Sequence, residues 1–198
     1  MIYTQNDMKG IYVFLADGFE VSEALTTVNM LRRGGVNVKT VSIYDDRIVT
    51  SSNRIPVVAD MAFGEFRAST TFGACLLSDV MIFPGGMPGS SNLAAFGKLM
   101  EIMKQHHAEG GTVAAICAAP SVVLSNLPDL TGRRMTCYDG FEEALTEKGA
   151  IYVKEGVVTD GNIITGRGPG WAVDFGLAIL AHVKGQEIAA KVRAGLML

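Results

Sequence analysis

Three short segments hold the residue types that could carry chemistry: DGFEVSE (17–23), PGG (84–86) and ICAAP (116–120). Cys117 ends an apolar run, and Ala118, Ala119 and Pro120 follow it. A cysteine at a sharp strand-to-helix turn is a nucleophile elbow, which lifts its side chain above the sheet. The helix N-terminus beyond it supplies free N–H groups and partial positive charge, so a lowered thiol pKa is expected. A buried packing cysteine fits the same apolar context, and ICAAP alone leaves both readings open.

Gly85 and Gly86 follow a strand directly, where the lack of Cβ lets backbone N–H groups approach a ligand. Two such donors beside a nucleophile make an oxyanion hole. Glu20 and Glu23 lie in the first turn of a helix, where carboxylates complement the macrodipole. A glutamate facing a thiolate in a dry site would stay protonated and donate to sulfur.

The other candidates carry less. His106 and His107 fall at a helix C-terminus, where a cation suits the dipole, and His182 lies in the last long helix. No histidine adjoins Cys117, so no Cys–His pair is visible. The cysteines at 75, 117 and 137 are odd in number and lack CxxC spacing. That argues against a disulfide framework or a zinc site, and no metal or cofactor is expected. The formal net charge of -3 advertises no surface for nucleic acid. The N-terminus lacks an apolar signal core. The greasiest segment, Trp171 to Val183, is too short to span a bilayer and contains Asp174. A cytoplasmic protein with no membrane partner is expected.

These residues need a scaffold. Residues 1–8 read as a polar extension and 9–198 as one domain. Apolar runs predict strands at Gly10–Ala16, Val36–Ile43, Val80–Phe83, Thr112–Ile116 and Arg134–Tyr138. Short strands at 48–49 and 55–58 suggest a side hairpin. A second hairpin turns at Gly161-Asn162 between 157–160 and 163–165. Helical spacing predicts helices over 21–33, 93–107, from about Ala119, and over 141–148, 170–182 and 186–194. The alternation points to an open, doubly wound α/β sheet that binds ligands beyond its carboxyl ends. With a flavodoxin-like strand order, the three segments meet at one spot.

The chain resembles the ThiJ/PfpI superfamily in its DJ-1 branch, the protein deglycases. The resemblance rests on LADGFEVSEAL (15–25), LRRGG (31–35), DVMIFPGGMPGSSNL (79–93), TVAAICAAP (112–120), TGRGPG (165–170) and KGQEIAAKV (184–192). It implies a flavodoxin-like α/β/α sandwich, a homodimer and a reactive Cys117 hydrogen-bonded to Glu23. It also implies oxyanion donors at Gly86 and at Ala118 next to the cysteine. Gly85 and Glu20 would line the pocket, and Arg33, Arg167, Gly168 and Pro169 would lie near the pocket or the dimer interface. The implied activity is cofactor-independent action on reactive small aldehydes or their glycated adducts. The alternative is a redox sensor or chaperone-like protein acting through oxidation of Cys117. Two departures bear on this. Ala118 stands where protease-like members have histidine, which argues against peptidase activity. Cys137 stands where the human-type branch has histidine, which leaves proton transfer to Glu23 or water. Cys137 could resolve an oxidised Cys117 only within disulfide reach, a Cα separation of about 7 Å or less.

Overall fold

The computed structural model describes residues 10–69 and 79–198. The N-terminal extension and Cys75 lie outside the described residues. The first strand, β1 (Ile11–Leu15), is buried on both faces, as its unbroken apolar run requires. It leads through Asp17-Gly18 into α1 (Val21–Arg33) and then β2 (Val38–Ser42). A small antiparallel hairpin follows, β3 (Ile48–Thr50) with β4 (Pro56–Val58). Then come β5 (Met61–Ala62) and α2 (Phe63–Ser69).

The second half begins with β6 (Val80–Phe83), α3 (Gly89–Ala95), α4 (Gly97–Ala108) and β7 (Thr112–Ile116). After it come α5 (Ala119–Val122), β8 (Arg134–Met135), α6 (Glu143–Thr146) and β9 (Ile151–Tyr152). The chain closes with the hairpin β10 (Val157–Asp160) and β11 (Ile163–Gly166), then α7 (Ala172–Lys184) and α8 (Gln186–Ala194).

The main sheet has the order β10-β11-β7-β6-β1-β2-β5. Every pairing in it is parallel except β10 with β11. The chain first winds outward from β1 through β2 to β5, then returns to the other side of β1 with β6. The strand order therefore reverses between β1 and β6, which opens a crevice at their carboxyl ends. Two buried clusters cover the faces of this sheet, which gives the flavodoxin-like sandwich. One holds Phe14, Phe83, Leu99 and Met103; the other holds Val13, Ile82, Leu180 and Phe175.

Several predicted elements change in extent. The single helix expected over 93–107 is two helices broken at Phe96, whose ψ of 84° leaves the helical region. Its ring packs edge-on against Phe63 with centroids 4.6 Å apart, so tertiary packing overrides local propensity. The strand expected over 134–138 pairs only as far as Met135. Beyond it, Thr136 N–H donates to Thr165 Oγ1 and Tyr138 N–H to the Cys117 carbonyl. The helix expected over 141–148 shortens to Glu143–Thr146. Two-residue strands such as β5 and β9 leave no readable period.

Phe14 is fully buried, stacked on Phe83 at 5.6 Å and edge-on to Phe66 at 5.2 Å. Phe14→Ala should lower unfolding free energy by about 3–5 kcal/mol in a urea titration, while exposed Lys104→Ala should stay within about 0.5 kcal/mol.

Candidate functional site

The site forms where β1, β6 and β7 end side by side. The β7 strand runs directly into Cys117, which has a φ of +66°. A non-glycine residue in the left-handed region stores backbone strain and marks a functional turn. The strained turn is fixed from both sides. Cys117 N–H donates to the Gly166 carbonyl at 2.9 Å, and the Cys117 carbonyl accepts from Tyr138 N–H at 2.8 Å. The half-buried thiol thus sits at an elbow, as the sequence predicts.

The glycines make room for it. A Cβ on Gly85 would lie 2.5 Å from the Cys117 Cβ and 2.7 Å from Glu23 Oε2. Gly86 has a φ of +86°, and a Cβ there would strike Glu20 N at 2.5 Å. The turn is pinned by Glu20 N–H, which donates to the Gly85 carbonyl at 2.8 Å. The Gly86 and Ala118 N–H groups act on the Cys117 sulfur in the direction that favours the thiolate.

Glu23 is fully buried in the first turn of α1. Its Oε2 accepts from Gly85 N–H at 2.8 Å, and the carboxyl lies near enough to the thiol for each to act on the other's titration. Its Oε1 has no further partner among the described residues. Burial is the main reason that the Glu23 pKa is pushed up to about 7. The Gly85 N–H and the thiol pull it back, and the Glu20 charge adds to the rise.

The lowered pKa expected for Cys117 is corrected. With Glu23 ionised, the thiol is pushed up to about 12, first by burial, then by the Glu23 charge and hydrogen bond. The helix held responsible for lowering it is a single turn, Ala119–Val122, with little macrodipole to offer. Only the Gly86 and Ala118 N–H groups act in the lowering direction. The two acids therefore compete for one proton near neutrality.

Other sequence-predicted residues separate into two groups. Glu20 caps α1, its Oε1 accepting from Ser22 N–H at 3.1 Å. Arg167, Gly168 and Pro169 follow β11 immediately, beside the elbow. Arg167 donates to both oxygens of Asp139 at 2.9 and 2.7 Å, and Lys154 joins the same carboxylate at 2.9 Å. Arg33 is not brought to the site within the chain. It ends α1, ten residues and about 15 Å of helix away from Glu23. Cys137 is fully buried in the cluster on one face, while Cys117 packs against the cluster on the other. A disulfide between them needs the backbone to move. Sequence reasoning passed over Tyr138, whose N–H anchors the elbow; its signal was its place directly after Cys137.

Among the described residues, no group of three or more His, Cys, Asp or Glu gathers to hold a metal ion. Nor is any helix among them long and apolar enough to cross a membrane.

The chain is similar to known proteins over most of its length. The model of the DJ-1/PfpI family matches residues 9–182. Protein dj-1beta of Drosophila melanogaster is 32% identical over 190 residues, 96% of this chain and 97% of that protein. Protein DJ-1 homolog A of Arabidopsis thaliana is also 32% identical, but the chain spans only 47% of its length. The glutathione-independent glyoxalase DJR-1.2 of Caenorhabditis elegans is 32% identical over 168 residues, covering 85% of this chain and 84% of that one. Among solved structures, a cysteine-to-alanine variant of a DJ-1 superfamily protein from Salmonella typhimurium has a TM-score of 0.84 at 35% identity, over 96% of this chain and 98% of its own. Oxidised Toxoplasma gondii DJ-1 has a TM-score of 0.85 at 30% identity, over 95% of this chain and 97% of its own.

A raised Glu23 pKa carries a sign for stability. The folded state holds the Glu23 proton more tightly than the unfolded chain, so this contribution is complete below pH 4.5 and is lost as pH rises through about 7. The loss is on the order of 3 kcal/mol. Glu23→Gln should flatten that fall when urea midpoints are compared from pH 5 to 8; an unchanged slope would place the titrating group elsewhere.

Proposed function

The chain belongs to the DJ-1/PfpI family, and from that premise we propose that it is a cofactor-independent, cysteine-dependent enzyme acting on small reactive α-oxoaldehydes. One observation carries the reading: a strained elbow thiol faces two backbone N–H donors and a buried carboxyl whose pKa lies near 7. A base with that pKa is half available at neutral pH, where general-base catalysis is most effective. The relative named as a glutathione-independent glyoxalase supports the substrate class.

In this reading Cys117 sulfur attacks the aldehyde carbon while its proton passes to Glu23. The proton then moves to the former carbonyl oxygen, which gives a hemithioacetal and leaves Glu23 ionised again. Gly86 and Ala118 N–H groups stabilise the negative charge that develops during attack. Glu23 next takes the proton from the former aldehyde carbon and returns it to the neighbouring carbon through an enediol, while the hydroxyl proton passes from the first oxygen to the second. The first carbon is oxidised by two electrons as the second is reduced by two, so no external oxidant is needed. Water hydrolyses the resulting thioester, releasing a 2-hydroxy acid and the free thiol. On a glycated adduct the sulfur would displace the amine or thiol from the carbinol carbon, and the thiol's proton, passed through Glu23, would leave with that group to give the same hemithioacetal.

Methylglyoxal turnover to lactate should fall at least a hundredfold in Cys117→Ala and in Glu23→Gln. Retained turnover in both variants would overturn this reading. A homodimer belongs to the same reading. The exposed apolar side chains of Leu25 on α1 and of Ile48, Ile55 and Val58 at the β3–β4 hairpin support it.

A second reading, redox sensing at Cys117, is favoured by its partial exposure and its N–H donors, against full burial of Cys137. Mild peroxide should then oxidise Cys117 before Cys137 or Cys75, read by peptide mass spectrometry. Equal oxidation of all three would remove it.

A further inference from the structure

The rim of the cysteine site is unexpectedly apolar. Met87 and Tyr138 are 49% and 48% exposed. Tyr138 is tied to the nucleophile by one backbone bond, and Met87 follows the glycine pair of the site. Gly86 N–H acts on the sulfur, and Tyr138 N–H holds the Cys117 carbonyl. Tyr138 therefore stands on backbone that the elbow itself fixes in place.

The direction of the Tyr138 ring follows from its segment. Met135 and Cys137 point into the buried cluster, two residues apart as in extended chain. Tyr138 is thereby turned outward. Its ring lies across Gly168, where an added Cβ would meet Tyr138 Cδ2 at 3.4 Å. Gly168 is two residues beyond Gly166, the acceptor of the Cys117 N–H. The ring thus lies along the backbone that borders the elbow, braced edge-on by Phe141 at 6.3 Å.

The cation that follows β11 does not compete for this space. Arg167 gives its Nε and Nη2 to Asp139, so the edge that would grip a substrate carboxylate is occupied. The exposed apolar rim and the occupied guanidinium favour an apolar substituent over an anionic one.

We propose that Tyr138 forms a subsite that selects aldehydes carrying a flat apolar group, such as aryl-substituted α-oxoaldehydes. This deepens the proposed function and rests on Cys117 being the attacking group. A ring against Tyr138 gains area burial and stacking. The effect expected from one such contact is about fivefold to tenfold.

The test uses two reagents that label Cys117 without turnover, phenacyl bromide and bromoacetamide, with rates read by mass spectrometry. In Tyr138→Ala, the ratio of phenacyl to acetamide labelling should fall at least fivefold; Tyr138→Phe should keep it. An unchanged ratio in Tyr138→Ala, in protein with wild-type circular dichroism, overturns the subsite. Turnover of phenylglyoxal and methylglyoxal then separates the two claims. If both are consumed with the same kcat/KM ratio in wild type and Tyr138→Ala, the subsite fails and the enzyme reading stands. If neither is consumed while the labelling ratio follows Tyr138, the enzyme reading fails and the subsite stands.

Discussion

Everything at this site depends on one buried proton shared between the Glu23 carboxyl and the Cys117 thiol. Glu23 is taken out of water and the thiol partly so, and two negative charges side by side there are costly. One proton must remain on the pair at neutral pH. Where it sits decides the chemistry: on sulfur the thiol is inert, and on Glu23 a thiolate is held between two N–H donors. The fold keeps the carboxyl in α1 and the sulfur beyond β7, while β6 between them supplies the glycines that let them meet.

That arrangement explains why the elbow tolerates its strain. A cysteine at φ +66° costs on the order of 1–3 kcal/mol and needs surroundings that over-determine it. Two backbone hydrogen bonds from separate segments, Gly166 and Tyr138, provide this. The parallel sheet contributes rigidity, because β7 is flanked by β6 and β11 along its length. Catalytic groups held on strand ends of a packed sheet lose little entropy when substrate binds.

Much of this was legible in the sequence, for physical reasons. Buried parallel strands read as unbroken apolar runs, so β1, β6 and β7 and their terminal loops were locatable. The glycines of PGG and the small residues after Cys117 marked close backbone approach. Two things were hidden. The expected lowering of the thiol pKa rested on a helix N-terminus beyond Cys117, and burial outweighs the single turn that forms. The rim was also invisible, because Tyr138 reaches the elbow through contacts that span 21 positions in the chain. Arg33 shows the opposite limit: a motif residue can be matched in sequence and still end a helix far from the sulfur within its own chain.

The shared proton is tested most directly by the pH dependence of Cys117 alkylation in wild-type protein and in Glu23→Gln. If Glu23 accepts the thiol proton, the wild-type rate should rise as the pair loses its first proton, with a midpoint near 7 and below the ~8.5 of a free cysteine, although the sulfur beside ionised Glu23 holds its own proton to about 12. The midpoint in Glu23→Gln should move above ~8.5, because burial then acts on the thiol without a base to relieve it. A wild-type midpoint at or above ~8.5, unchanged by Glu23→Gln, would contradict the account and leave Cys117 a packing residue.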